Sequence, residues 1–112
     1  MSPLEVAVRI VVDLLVRGEF SVIEALTRSC KLTAAELEEA VLVYGRTLVL
    51  PPNDYWQLLD IIAVDEADVP TYSVVAPLWT EEEGRSDLSL ILTMTEFAPG
   101  LFATQIDGLH VR

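Results

Sequence analysis

One cysteine, one histidine and only seven lysines and arginines are spread over 112 residues, and each shortage closes off a class of protein. A lone thiol, Cys30, cannot build a disulfide framework. A lone imidazole, His110, cannot assemble a His-containing metal set within one chain, and nothing in the pattern calls for a metal or a cofactor. With eighteen acids against those few cations the net charge is −11, a field that repels phosphate backbones and argues against DNA or RNA as partner. No apolar run reaches the 18 or so residues of a membrane span, because Glu5, Arg9, Asp13 and Arg17 interrupt the first helix every fourth position. The opening Met-Ser-Pro-Leu-Glu lacks the basic n-region of a signal peptide. The expectation is a cytoplasmic protein bound to neither membrane nor nucleic acid.

What is present is apolar. Hydrophobic residues make up 52% and mean hydropathy is +0.43, more than one small core readily absorbs, so the surplus points to a homodimer interface or a lined pocket. At this length the chain reads as a single domain, residues 1–112, helical over about 2–45 and strand-rich over about 48–112. Three stretches carry a hydroxyl with a glutamate three residues on: Ser2-Pro3-Leu4-Glu5, Ser21-Val22-Ile23-Glu24 and Thr33-Ala34-Ala35-Glu36. Each is a capping box, in which the hydroxyl accepts from a first-turn N–H and the carboxylate reaches back to the cap, so three helices are predicted. Pro3 suits a first helical position, and Gly18 and Gly45 stand where helices one and three would stop. The second runs from Ser21 to about Cys30; the third ends at Tyr44 with Leu37, Ala40, Val41 and Tyr44 inward. Apart from its charged line the first helix is apolar around most of its circumference, which requires cover on more than one side, by a curved sheet or a second subunit.

After Gly45 the period changes. Leu48-Val49-Leu50 is a short apolar run closed by Pro51-Pro52-Asn53-Asp54, which cannot continue a helix. Tyr55 to Val64 suits a largely buried strand, with a helical turn at its start as the alternative. Thr71 to Trp79 alternates, with Tyr72, Val74, Ala76 and Leu78 on one face and Pro77 marking an edge or a bulge. Leu88, Leu90, Leu92 and Met94 alternate with Ser89, Ile91, Thr93 and Thr95. Ala98-Pro99-Gly100 turns the chain into Leu101 to Val111, where Gly108 marks a bulge. Helices first and strands last define an α+β fold: three N-terminal helices on one face of a curved antiparallel sheet of about four strands, a cystatin-like or nuclear-transport-factor-like cone by architecture alone.

Three stretches carry a resemblance: Tyr44-Gly45-Arg46-Thr47-Leu48; Ser73 through Thr80 with Glu83-Gly84-Arg85-Ser86-Asp87-Leu88; and the ending Ile106-Asp107-Gly108-Leu109-His110-Val111. Together they resemble a family of short bacterial stand-alone proteins of unknown function. The resemblance implies a bacterial cytosolic protein and carries over no catalytic residue.

Candidate chemistry is sparse. A Cys30–His110 dyad is arithmetically available, but a cysteine near a helix C-terminus faces a dipole that disfavours the thiolate. Asp60, between Leu59 and Ile61, and Asp107, before Gly108, are carboxylates set in apolar strands; such a group could act as a general base in a cone-shaped pocket, with Asp60 as the candidate and the alternative that it points outward or pairs with Arg46 or Arg85. Residues 1–50 balance seven acids with five bases, whereas residues 51–112 hold eleven acids against Arg85 and Arg112. The strand-rich half is therefore the acidic half. Its densest stretch, Thr80 to Asp87, lacks the alternating oxygen ligands of a calcium loop and reads as a solvated hairpin tip. There Trp79 offers an aromatic anchor beside Glu81, Glu82, Glu83 and Arg85, a docking patch for a basic protein. The expectation is a non-enzymatic acidic protein-binding domain, with an inhibitor or immunity protein as its concrete form; the alternative is a small-molecule-binding or isomerase/cyclase-like pocket using Asp60.

Overall fold

Two of the three capping boxes form as written, and the third shows how local rules yield to packing. The structure, a computed structural model, describes residues 2–27, 29–30 and 32–111, with the side chains of residues 29, 30 and 58 outside that description. Helix α1 (Pro3–Val16) starts on Ser2, whose hydroxyl accepts from the Glu5 N–H while the Glu5 carboxylate accepts from the Ser2 N–H. Helix α3 (Ala34–Tyr44) starts the same way on Thr33 and Glu36, and Gly45 closes it at φ +74°. Helix α2 (Phe20–Leu26) starts two residues earlier than Ser21 allows. Gly18, at φ +74°, reverses the chain tightly enough for Glu19 to be the N-cap, and no side chain caps it. Glu24 is thereby freed from capping its own helix, and its carboxylate instead accepts from the Ala34 N–H, at 2.6 Å, at the start of α3.

The end of α2 also differs from expectation. Thr27 leaves helical geometry with its hydroxyl donating to the Ile23 carbonyl, and Ser29–Cys30 form a strand, β1, instead of a last helical turn. The other strands are β2 (Leu48–Val49), β3 (Asp60–Ala63), β4 (Thr71–Thr80), β5 (Gly84–Ala98) and β6 (Leu101–Val111). Their order is β1-β6-β5-β4, with β2 and β3 both paired along the far margin of β4. The pairings of β2 to β6 are antiparallel, and β1 joins β6 in parallel.

The inward row of the sheet is the alternating one: Val74, Ala76 and Leu78 on β4 and Leu88, Leu90, Leu92 and Met94 on β5 are buried, with Ile106 and Leu109 of β6 beside them. Val8, Val11, Val12 and Leu15 of α1, Ile23 of α2 and Leu37 of α3 pack onto this row. Pro77 sits at a register shift between β4 and β5, and the β5–β6 register shifts at Asp107, next to Gly108. Both bulges fall where proline and glycine marked them.

Two expectations about burial change. The stretch Tyr55–Val64 divides: Asn53–Leu58 form a 3-10 helix, started by the Tyr55 N–H donating to the Pro52 carbonyl, and it drives Tyr55 and Trp56 into the core. The strand that follows, β3, is exposed along its whole length rather than buried. The 3-10 helix has already taken the inner space, so β3 is left at the margin. Helix α1 is covered on one side, by α2, the 3-10 helix and β6, while Val6 and Ile10 remain 43% and 51% exposed.

The caps give a direct test. Thr33→Ala should cost about 1 kcal/mol, whereas Ser21→Ala, inside α2, should cost at most a few tenths, as read by urea unfolding. Equal losses would show that the boxes are not what sets the helix starts.

Candidate binding surface

The hairpin tip is held rigidly, and its acids are what hold it. Residues 81–83 turn the chain from β4 into β5, and Gly84, at φ +73°, completes the turn with Trp79 against it. The Glu81 N–H donates to the Thr47 carbonyl at 2.9 Å. The Glu82 carboxylate accepts from the Thr47 N–H at 2.8 Å and from the Thr47 hydroxyl at 3.0 Å. The Glu83 carboxylate accepts from the Tyr44 hydroxyl at 2.8 Å and from the Thr80 hydroxyl at 3.2 Å, with Arg46 Nε 4.0 Å away. Two of the three glutamates therefore tie the tip to the end of α3, and the Glu81 side chain makes no hydrogen bond or ion pair among the described residues. The Thr47 amide, the carboxylate's own amide and the Thr47 hydroxyl hold the Glu82 carboxyl below its ordinary value, with the Arg46 charge adding to them.

Trp79 is half-buried rather than presented as a free anchor. Its ring meets Tyr55 edge-on at 5.6 Å and 70°, and Tyr55 meets Trp56 at 5.4 Å and 74°. The Tyr55 hydroxyl donates to the Pro77 carbonyl. This bond falls where β4 has no strand alongside, between the stretch paired with β3 (Tyr72–Val75) and that paired with β2 (Trp79–Thr80). Burial pushes the Tyr55 hydroxyl far above its usual value against the opposing charge of Arg85, so it remains a neutral donor.

Asp60 is exposed at the start of β3. It lines a cleft of about 300 Å³ with Val75, Pro77, Arg85, Asp87 and Ser89, on the side of the sheet away from the helices. The apolar enclosure that a buried base needs is absent there, because the 3-10 helix and not β3 fills the interior. His110 is exposed with its ring folded over Gly108, where an added Cβ would come within 3.0 Å of it. The side chain of Cys30, the other half of the dyad, lies outside the described residues. Asp107 accepts from the Thr93 hydroxyl at 2.6 Å and from Gln105 Nε2 at 2.5 Å. Among the described residues no group of three His, Cys, Asp or Glu is placed to hold a metal ion.

Two surfaces were not legible in the sequence. One is a groove of about 520 Å³ between α3 and the end of β6, floored by Leu32, Ala40, Val43, Leu109 and Val111 and rimmed by Glu36 and Glu39. Its walls are some 70 residues apart in the chain, and the fold leaves Leu42 and Val43 of α3 71% and 79% exposed. The other is the margin made by β2, the 3-10 helix, β3 and their connections. Between Arg46 and Arg85 the chain has eight acids (Asp54, Asp60, Asp65, Glu66, Asp68, Glu81, Glu82 and Glu83) and no Lys, Arg or His. All eight are exposed.

These features define an α+β domain with helices on one sheet face and an open, acidic margin. Residues 12–112 match the family described as a domain of unknown function, DUF7668, and the chain belongs to that family. No curated protein and no solved structure matches it. No helix among the described residues is long and apolar enough to cross a membrane.

The tip's tether has a pH signature. A lowered folded-state pKa means that Glu82 contributes stability above its ordinary 4.5, and that this contribution is lost as pH falls through the folded value below it. Glu82→Gln keeps an acceptor oxygen but does not titrate, so its thermal midpoint should fall less steeply than wild type as pH drops from 4.5. Parallel curves would remove Glu82 from the tether.

Proposed function

We propose that this protein is a non-enzymatic binding domain whose acidic sheet margin engages a basic protein, with an inhibitor or immunity protein of a bacterial cytoplasm as its concrete form. The observation that carries this reading is the uninterrupted run of eight exposed acids between Arg46 and Arg85, spread along β4 with Asp65, Glu66 and Asp68 near its Thr71 end and Glu81, Glu82 and Glu83 past its Thr80 end. A field of one sign speeds the encounter with a partner of the other and discriminates against like-charged competitors. Because Glu82 and Glu83 are committed to holding the tip, the acids of the margin free to meet a partner are Asp54, Asp60, Asp65, Glu66, Asp68 and Glu81, whose side chains make no hydrogen bond or ion pair among the described residues. The resting form we propose is a homodimer, supported by the open apolar residues Val6 and Ile10 on α1 and Val22 and Leu26 on α2.

Immobilised protein should retain a basic protein from the lysate of its source at low salt and release it on a salt ramp. Replacing Glu81, Asp65 and Asp68 together by Lys should lower that retention by about tenfold or more and flatten its salt dependence. Retention unaffected by the reversal would overturn the acidic margin as the binding surface. Light scattering tests the homodimer: a mass near 12.4 kDa would overturn it.

A further inference from the structure

The margin that carries the acids is also an unpaired strand edge. Strand β3 pairs with β4 in the register Asp60↔Val75, Ile61↔Val74, Ile62↔Ser73 and Ala63↔Tyr72, and the same register continues where the Val64 N–H donates to the Thr71 carbonyl at 2.8 Å. In an antiparallel ladder the residues that exchange hydrogen bonds with a given neighbour alternate. Val64, Ile62 and Asp60 therefore turn their backbone groups toward β4, and Ile61 and Ala63 turn theirs outward. No described strand pairs on that outward side. All four residues of β3 are exposed, Ile61 and Ile62 at 37% and 61%, and Val64 just beyond is 43% exposed. An edge of this kind is a template for one more strand.

Charge selects what that strand is. Asp60 lies in β3, and Asp65, Glu66 and Asp68 follow it with no cation between Arg46 and Arg85. A second copy would bring the same acids to the edge, whereas a basic segment would be drawn to it. We propose that β3 captures an extended segment of a basic protein by strand addition: the backbone groups of Ile61 and Ala63 pair with it, Ile61 on one face or Ile62 on the other meets its apolar side chains, and the flanking carboxylates meet its Lys or Arg residues. This rests on the acidic margin being the partner surface and assigns to it the mode of recognition. The outward amides also supply a clean substitution. Proline at 63 removes a donor that β4 does not use and places its ring on the open side, where edge strands tolerate it.

The probe is a blocked peptide of about eight residues alternating Lys and Val, long enough for one strand. At low salt it should bind and slow amide exchange of Ile61 and Ala63 by about tenfold or more, leaving the β4-bonded amide of Ile62 unchanged. Ala63→Pro should weaken the peptide by about tenfold or more with far-ultraviolet circular dichroism intact. Should that variant fail to fold, the exchange pattern of the wild-type protein decides alone. Protection anywhere but at these two amides, or undiminished affinity of a folded Ala63→Pro, overturns strand addition; if reversal of Glu81, Asp65 and Asp68 still weakens the peptide, the acidic reading survives that failure. A peptide that does not bind at low salt overturns both. Protection of the same two amides without peptide, with doubled mass, overturns the basic partner in favour of a second copy.

Discussion

The register of the β4–β5 hairpin is the constraint on which the rest of the structure depends. Side chains alternate along a strand, so a slip of one residue would turn Leu88, Leu90, Leu92 and Met94 outward and present Ser89, Ile91 and Thr93 to α1 and α3. The buried residues of α1, α2 and α3 join one core cluster with this row. The helices can dock only because Val74 pairs with Leu92 and Ala76 with Leu90, and those four residues are fully buried. The tip fixes the same register from its far end. Glu82 and Glu83 bind Thr47 and Tyr44, so a slipped hairpin would lose its tether to α3 along with its core.

That tether separates two kinds of acid within one cluster. Glu82 and Glu83 spend their oxygens on backbone and hydroxyl donors inside the molecule, whereas Glu81 next to them makes no such bond among the described residues. Composition cannot make this division, since three consecutive glutamates read alike until the donors opposite them are known. Structural carboxylates still contribute to the long-range field, which falls off over roughly 8 Å at physiological ionic strength. A partner is therefore attracted by more acids than it can touch.

Legibility in the sequence follows the range of the interaction. Caps at Ser2 and Thr33, stops at Gly18 and Gly45, the alternation of β5 and the bulges at Pro77 and Gly108 are set by residues within a few positions of one another, and they are readable. Ser21 misleads because Gly18 allows an earlier start, which turns Glu24 into a partner for Ala34, ten residues away. Tyr55 to Val64 misleads in its second half for a related reason. Its apolar density is real, but the two prolines and Asn53-Asp54 wind the first part into a 3-10 helix, and a strand cannot show from its own sequence that another element already occupies the inner space. Of the proposed docking patch, the position of the acids at one hairpin tip is readable; the commitment of two of them, and the half-burial of Trp79 against Tyr55, depend on contacts across 20 residues or more.

An exposed edge bearing Ile61 and Ile62 is a hazard for any protein at high concentration, and sheets ordinarily blunt such edges with charge. Here the charges in and just after β3 (Asp60, Asp65, Glu66 and Asp68) are all acidic, with Arg85 in the cleft beside Asp60. Mixed charges would have left the edge open to a second copy, because each copy could offer the other a complementary set. An acidic margin instead makes repulsion between copies grow with the same charges that attract a cationic strand, so protection and selectivity come from one arrangement. Salt separates the two effects from hydrophobic burial. Screening weakens repulsion between copies and attraction to a basic strand together, while the contacts of Ile61 and Ile62 are left largely unchanged. The edge is thus most selective at low ionic strength, and it is the acids around β3, more than the two isoleucines in it, that decide what the open backbone meets.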